Sequence, residues 1–364
     1  MLARLRGSLA ASFGKVLAVV VGVLLFSYFF SMGLGLFLFY FLPEGIEVAS
    51  RQVAVLPLSL FMVVNFEIPL GVSTGLFFLI LWLVYLGAFS LAWSDRPRFP
   101  FSLRNLLLGR LDIIHSNYLA IMPQLASLVL AAIIFLQSLQ ESAGVQTGGL
   151  RPEPPVVLFL AVSYAPLAEE FSYRITTMGF LSGLLFFSRM RRHSLGRGRP
   201  GAGRVLLLTM WKPEAAKELL GFNTIQNSGI RRGISLFEWV LLVITSVAFG
   251  AVHYLAGGGW EIGKISTAAL SGFAMGLVYL RYGAYAPILL HWFFNYYFGA
   301  FDLASQLNLV GFRWASDGVQ FLNVGFGTLL AVVLIVFSLR RMWRLKGRRG
   351  YILRESAAKF PNVS

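Results

Sequence analysis

The stretch from Val16 to Leu42 holds no charged residue. At about 1.5 Å per helical residue it is long enough to cross a hydrocarbon layer of roughly 30 Å. Further apolar runs follow at Ile68–Trp93, Ile113–Leu139, Val156–Phe187, Leu236–Leu255, Ile262–Leu280, Tyr285–Phe301 and Val319–Leu339. Inside a bilayer a single segment can satisfy its own backbone hydrogen bonds only as a helix. The expected fold class is therefore an all-α polytopic membrane protein, with about eight transmembrane helices around a polar intramembrane cavity. Composition agrees: of the 364 residues 57% are hydrophobic and 13% charged, more apolar sequence than a soluble core needs.

The 31 Lys and Arg against 16 Asp and Glu resemble a nucleic-acid signal until they are placed on the chain. All but five (Arg51, Arg151, Arg174, Lys264, Arg313) fall in alternate loops, at inner helix ends or in the tail from Arg340. That is the positive-inside pattern, so both termini are expected in the cytoplasm and no nucleic acid is expected as a partner. The basic loop and tail instead suit anionic lipid heads. The first apolar run is too long for a cleaved signal peptide, and a bacterial inner membrane is the expected location. With no cysteine, disulfides, thiolate catalysis and Cys-ligated metals are excluded.

Three regions are expected: a transmembrane part over 1–155, a core over 156–302 and a last span with a basic tail over 303–364. Val53–Val64 is apolar but too short to span, so it is expected to lie in the interface or re-enter. Phe101–Leu111 reads as an interfacial amphipathic helix. The core carries a basic insertion at 189–235, flexible in its first half, with a short strand and helix expected between Leu206 and Phe222. Val156–Phe187 would measure about 48 Å as one helix, so it should tilt, kink or protrude. Pro166 marks the kink.

Charged groups at membrane depth cost about 3 kcal/mol each on insertion scales, so those present need a reason. Pro166-Leu-Ala-Glu-Glu-Phe-Ser-Tyr-Arg174 places Glu169, Glu170 and Arg174 inside an apolar run. Glu170 and Arg174 are four apart and can pair, while Glu169 faces about 100° away. Phe249-Gly-Ala-Val-His253 and His291-Trp-Phe-Phe-Asn295 supply one polar face on each of two further spans. Buried ionisable groups need partners, so convergence on one site is the economical arrangement. A carboxylate, two histidines and an amide form a hydrolytic set: a base, a group to hold water, and donors for an oxyanion.

Glu-Glu-x-x-x-Arg, Phe-x-x-x-His and His-x-x-x-Asn, in this order on separate spans, resemble the CPBP intramembrane proteases. That family includes the CAAX-processing, Ras-converting endopeptidases and many bacterial relatives. The likeness runs from about Pro155 to Phe301 and includes Gly272-Phe-Ala-Met-Gly276 and Arg281-Tyr-Gly283. It implies a glutamic endopeptidase acting on a membrane-associated protein or peptide. Glu169 would be the catalytic carboxylate, His253 would help to activate water, Glu170 and Arg174 would support the site, and His291 and Asn295 would form the oxyanion hole. No cofactor is implied. Two histidines and a glutamate could ligate zinc, but there is no His-Glu-x-x-His. The insertion separates the first two motifs unusually far, and the span ends put His253 and His291 toward opposite faces.

The alternative is a non-catalytic scaffold or regulator that uses the same cluster for binding. Gly71-Val-Ser-Thr-Gly75 matches a nucleophile-elbow pattern but is read as lacking the strand-turn-helix context. Ser271 is read as a small residue at a helix interface. His115, Asn117 and His193 are read as solvated, and the many Phe and Trp as lipid-facing or interfacial anchors.

Overall fold

The computed structural model describes residues 2–193 and 200–359, with side chains over 11–189 and 200–342. In chain order come α1 (Leu2–Tyr40), α2 (Pro43–Ser50), β1 (Gln52–Leu60), β2 (Val64–Ser73), α3 (Thr74–Ser94), α4 (Phe99–Leu107) and, after a 3-10 turn, α5 (Tyr118–Ser142). Then follow α6 (Pro155–Glu170), a π-helical stretch (Phe171–Gly179), α7 (Phe180–His193), α8 (Ala202–Trp211), α9 (Pro213–Leu219) and α10 (Ile225–Gly233). The chain closes with α11 (Leu236–Leu255), α12 (Gly263–Tyr282), α13 (Tyr285–Trp292), a second π-helical stretch (Phe293–Tyr297), α14 (Phe298–Gln306) and α15 (Phe312–Lys359).

Among the described residues six helices are long and apolar enough to cross a membrane: Ala11–Tyr40, Thr74–Ser94, Tyr118–Ser142, Pro155–Arg189, Leu236–Leu255 and Phe312–Met342. The chain is an integral, multi-pass membrane protein. The other two expected spans are the helix α12 and the continuous rod from Tyr285 to Gln306. Both sit inside the bundle, and most of Val278–Phe293 is buried. A helix that faces protein and not lipid can carry polar groups, which is why these two stand out less by hydropathy.

One hairpin interrupts the expected all-α chain. β1 and β2 pair antiparallel, with Leu60 opposite Val64, where a short interfacial or re-entrant segment and the start of a helical span were expected. The Val-, Leu- and Ile-rich alternation with prolines at Pro57 and Pro69 suits a strand better than a helix. Its tip is pinned to the first π-helical stretch: the Phe61 and Met62 amides donate to Thr176 Oγ1 and Ser172 Oγ, both at 3.1 Å. The Tyr164 hydroxyl donates to the Pro57 carbonyl at 2.5 Å. Strand β2 does run into α3, so the context missing from the Gly71–Gly75 motif is present. Ser73 nevertheless has an unstrained extended backbone, and its hydroxyl caps α3 by accepting the Leu76 amide. That is capping chemistry, unlike the strained turn of a nucleophile elbow.

The insertion is folded and docked. Helices replace the strand expected after Leu206; of the first half expected to be flexible, 194–199 lies outside the described residues, while the residues before it belong to α7 and α8 begins at Ala202. Lys217 and Glu238 form a buried pair at 2.6 Å, and Lys217 Nζ also donates to the Gly233 carbonyl. Lys212 reaches Asp95 at 2.7 Å, and Asp95 accepts the Tyr285 hydroxyl. Gly283, at φ +97°, lets the α12–α13 turn lie against the Trp211 carbonyl, where a Cβ would sit 2.5 Å from that oxygen. The Ala284 amide donates to the same carbonyl. The start of α13 is thereby held by the insertion.

Two residue readings change. Asn117 is buried, and its amide donates to the Ala92, Asp95 and Pro97 carbonyls while its oxygen caps α5. Many Phe and Trp are exposed as expected, Trp93, Trp211 and Trp314 among them, but Trp292 is completely buried. Tyr28, Tyr85, Phe89, Tyr296 and Tyr297 enclose Trp292, with ring centroids 5.1–6.4 Å from it. Such pairs add about 0.5–1.5 kcal/mol each beyond burial and hold a rigid wall. The His193 side chain lies outside the described residues.

The α11–α12 crossing depends on small residues, as close helix approach in lipid does. A Cβ on Gly250 would collide with the Ile265 carbonyl, a backbone atom that cannot swing aside. Gly250→Ala should therefore destabilise the folded protein by about 1–3 kcal/mol. Gly22→Ala, which meets open space, should stay within about 0.5 kcal/mol of the parent. Thermal unfolding in detergent would compare them, and equal stabilities would refute the close crossing.

Candidate active site

Three of the helices carry the polar groups inward. α6 ends at Glu170, and the chain continues into the π-helical stretch without breaking. The wider turns of this stretch are held from within: the hydroxyls of Thr176 and Thr177 donate to the Ser172 carbonyl at 2.9 and 2.7 Å. A second π-helical stretch begins two residues after His291 and contains Asn295. Such stretches are rare and locally re-aim side chains, and each lies directly beside a motif.

Glu170 and Arg174 are completely buried and joined at 3.1 Å through Nε. The Arg174 Nη2 donates to the Gly272 carbonyl on α12 at 2.8 Å. Its guanidinium carbon lies 4.8 Å from the centroid of the Phe249 ring. Gly272 makes room for this, since a Cβ there would press on both Phe249 and Arg174 at 3.1 and 3.2 Å. The other oxygen of Glu170 accepts from His291 Nδ1 at 2.9 Å. One buried carboxylate thus ties an arginine on its own helix to a histidine on α13, and the arginine ties in α12.

The bond from Nδ1 to a carboxylate places that proton on Nδ1 and leaves Nε2 of a neutral His291 as the bare nitrogen. Nε2 lies 3.9 Å from Glu169 Oε2. The Glu169 side chain is 31% exposed, in contrast to its sealed neighbour, and its Oε2 has no hydrogen-bond partner among the described residues. Adjacent glutamates therefore have different settings. Glu170 is locked and Glu169 is open.

His253 lies one turn beyond Phe249 on α11 and donates from Nδ1 to the Phe249 carbonyl at 2.7 Å. The Phe249 ring stands between the two imidazoles, 4.8 Å from His253 and 5.7 Å from His291. His253, His291 and Asn295 line one cavity of about 470 Å³, together with Phe249, Lys264 and Ser271. Both histidines line this one cavity, although the span ends read from the sequence set them toward opposite faces. Glu169 meets the cavity through His291 and is not part of its lining. The histidine beside Glu169 is His291, where His253 was expected. The Ser271 hydroxyl is spent on the Ala268 carbonyl of its own helix.

Both Nδ1 positions are occupied by Glu170 and by the Phe249 carbonyl. Among the described residues no group of three or more His, Cys, Asp or Glu side chains is placed to hold a metal.

Phe249 and Gly272 were named in the sequence only as parts of their motifs, without the contacts they make to Arg174. Lys264 and the π-helical stretches were missed as parts of the site, although Lys264 left a signal as a charge just inside an apolar run, which marks a functional candidate.

The comparisons agree with the motifs. Residues 151–297 match the family model described as type II CAAX prenyl endopeptidase Rce1-like. Neither a curated protein nor a solved structure matches the chain. The likeness to CAAX-type intramembrane proteases therefore holds over the segment that carries Glu169, Glu170, Arg174, His253, His291 and Asn295.

Removing Arg174 would leave Glu170 charged and unpaired in the interior. Arg174→Met should cost about 3–5 kcal/mol. Combining it with Glu170→Gln should recover part of that loss, which a double-mutant cycle on thermal unfolding would measure. Strict additivity would show that the pair is not coupled.

Proposed function

We propose that this Rce1-like protein is an intramembrane endopeptidase that hydrolyses a peptide bond of a membrane-associated protein or peptide, using water activated by Glu169. The observation that carries this reading is the 3.9 Å gap between Glu169 Oε2 and His291 Nε2. It is too long for a direct hydrogen bond and suits a water that donates one proton to each atom. Glu170 and Arg174 act as positioning residues, since they set the His291 tautomer and ring plane.

In the proposed cycle the water oxygen attacks the peptide carbonyl as Glu169 takes its proton. The resulting tetrahedral oxyanion accepts from Asn295 Nδ2, while His253 lines the cavity beside it. Glu169 then returns the proton to the leaving amine as the carbon–nitrogen bond breaks, which restores the carboxylate. General base catalysis of this kind contributes about 10²–10⁴-fold, and an oxyanion donor about 10²–10³-fold. No step requires a metal.

Residues 156–302 would form the catalytic core. A bacterial inner membrane, with both termini in the cytoplasm and the basic tail near anionic lipid heads, is the setting that the loop charges favour.

Processing of membrane peptides in cells lacking the protein should return with the parent sequence and fail with Glu169→Gln, although that variant inserts and melts normally. Asn295→Ala should lower turnover about 10²–10³-fold, and chelators should leave it intact. Full complementation by Glu169→Gln would replace the hydrolase by the scaffold reading.

A further inference from the structure

The last span holds one polar group that a helix facing lipid does not need. Of Phe312–Met342 only Asn323 and Gly327 are buried, four residues apart and so on one face. A Cβ on Gly327 would strike the Ser127 carbonyl of α5, so the two helices touch there. A leucine in place of Asn323 would enter the membrane at less cost, because a side-chain amide in an apolar medium needs its hydrogen bonds made.

Both ends of the Asn323 amide are used. Its oxygen accepts from Ser127 Oγ at 3.1 Å. Its nitrogen donates to the Val319 carbonyl of its own helix at 2.8 Å and to the Tyr297 hydroxyl at 3.2 Å. The Tyr297 hydroxyl in turn lies 2.9 Å from Ser27 Oγ on α1. Ser27 spends its proton on the Leu24 carbonyl at 2.7 Å, so Tyr297 is the donor between them. The chain therefore runs in one direction, from Ser127 through Asn323, Tyr297 and Ser27 to Leu24, with each hydroxyl donating once. It joins α5, α15 and α1 to the second π-helical stretch. Hydrogen bonds aligned in this way reinforce one another where water does not compete. Ser27, Ser127 and Asn323 all lie outside residues 151–297, so the family likeness does not include them.

Tyr297 stands two residues after Asn295, hence on nearly the opposite side of the rod. Asn295 lines the cavity, and among the described residues its amide has no hydrogen-bond partner. Nothing at the amide itself fixes its direction, so the rotation of the backbone beneath it does. The first π-helical stretch is braced internally by Thr176 and Thr177. The second has no such brace among the described residues. It is held from outside, by Tyr296 on the Met32 carbonyl at 3.2 Å and by Tyr297 on Asn323 and Ser27.

We propose that Asn323 is a positioning residue for the hydrolysis: through the Tyr297 hydroxyl it fixes the rotation of the Phe293–Tyr297 stretch and so aims the Asn295 amide at the developing oxyanion. The inference rests on the hydrolase reading above and gives the last span a part in it.

The test uses the full-length protein in liposomes with N-palmitoylated peptides of randomised sequence. Cleavage is followed by mass spectrometry, and rates are measured on the peptide that the parent protein cuts best. Asn323→Leu and Tyr297→Phe should each lower kcat about 10–10²-fold with KM unchanged, the effect of a misplaced catalytic group. Tyr297→Phe keeps the ring and removes only the hydroxyl, so it tests the bond even where Asn323→Leu fails to fold. In an Asn295→Ala background neither substitution should lower kcat further, because the donor they aim is gone. Equal fractional losses in both backgrounds would overturn the positioning role, reduce the network to helix packing and leave the hydrolase standing. So would a kcat unchanged by Tyr297→Phe. Absence of cleavage of every peptide by the parent protein would sink the hydrolase reading and this inference with it.

Discussion

A carboxylate without a partner is not tolerated inside a bilayer, and the centre of this molecule is arranged around that constraint. Glu170 is fully enclosed and has two partners, Arg174 and His291. Arg174 in turn spends a donor on the Gly272 carbonyl and its face on Phe249. Four helices are thereby committed to one geometry: α6 with its π-helical continuation, α11, α12 and α13. In a medium without competing water such a network is strongly cooperative and costly to leave half-made. The glycines at the crossings exist to let these helices approach closely enough to form it.

The open geometry at Glu169 follows from the closure at Glu170. Because His291 is held at Nδ1, its Nε2 is presented to Glu169 at a distance that leaves space between them. Aromatic packing around Trp292 then keeps α13 from turning. The docked insertion holds the other end of the same helix, through the contact of Ala284 with Trp211 and of Tyr285 with Asp95. A segment that reads as a basic surface loop is therefore part of what aligns the site.

The hairpin makes a related point about the first half of the chain. It hangs beside α6 and ends on Ser172 and Thr176, residues of the stretch that immediately follows Glu170. Its positive-φ tip residues, Phe61 and Met62, are held by those hydroxyls. The N-terminal region is thus coupled to the site helix, and the division of the chain into a transmembrane part and a core is one of sequence more than of mechanics.

The sequence by itself determined the helical membrane class, the order of the spans and the identity of the polar residues at depth. These follow from local quantities: apolar run length, the cost of buried charge, and residue spacing. It also made the Glu170–Arg174 pair legible, because four-residue spacing survives the change to a π-helical turn. It did not show that His291 is the second partner of Glu170 or that the same histidine lies beside Glu169, and it left open how His253 and His291, set toward opposite faces, reach one cavity. It missed the hairpin, the aromatic core around Trp292, and the docking of the insertion. Those depend on which helix faces pack together and on how far one rod slides past another. Glu169 and Glu170 differ by one position in sequence, and only the neighbours on α12 and α13 decide which is sealed and which stays open.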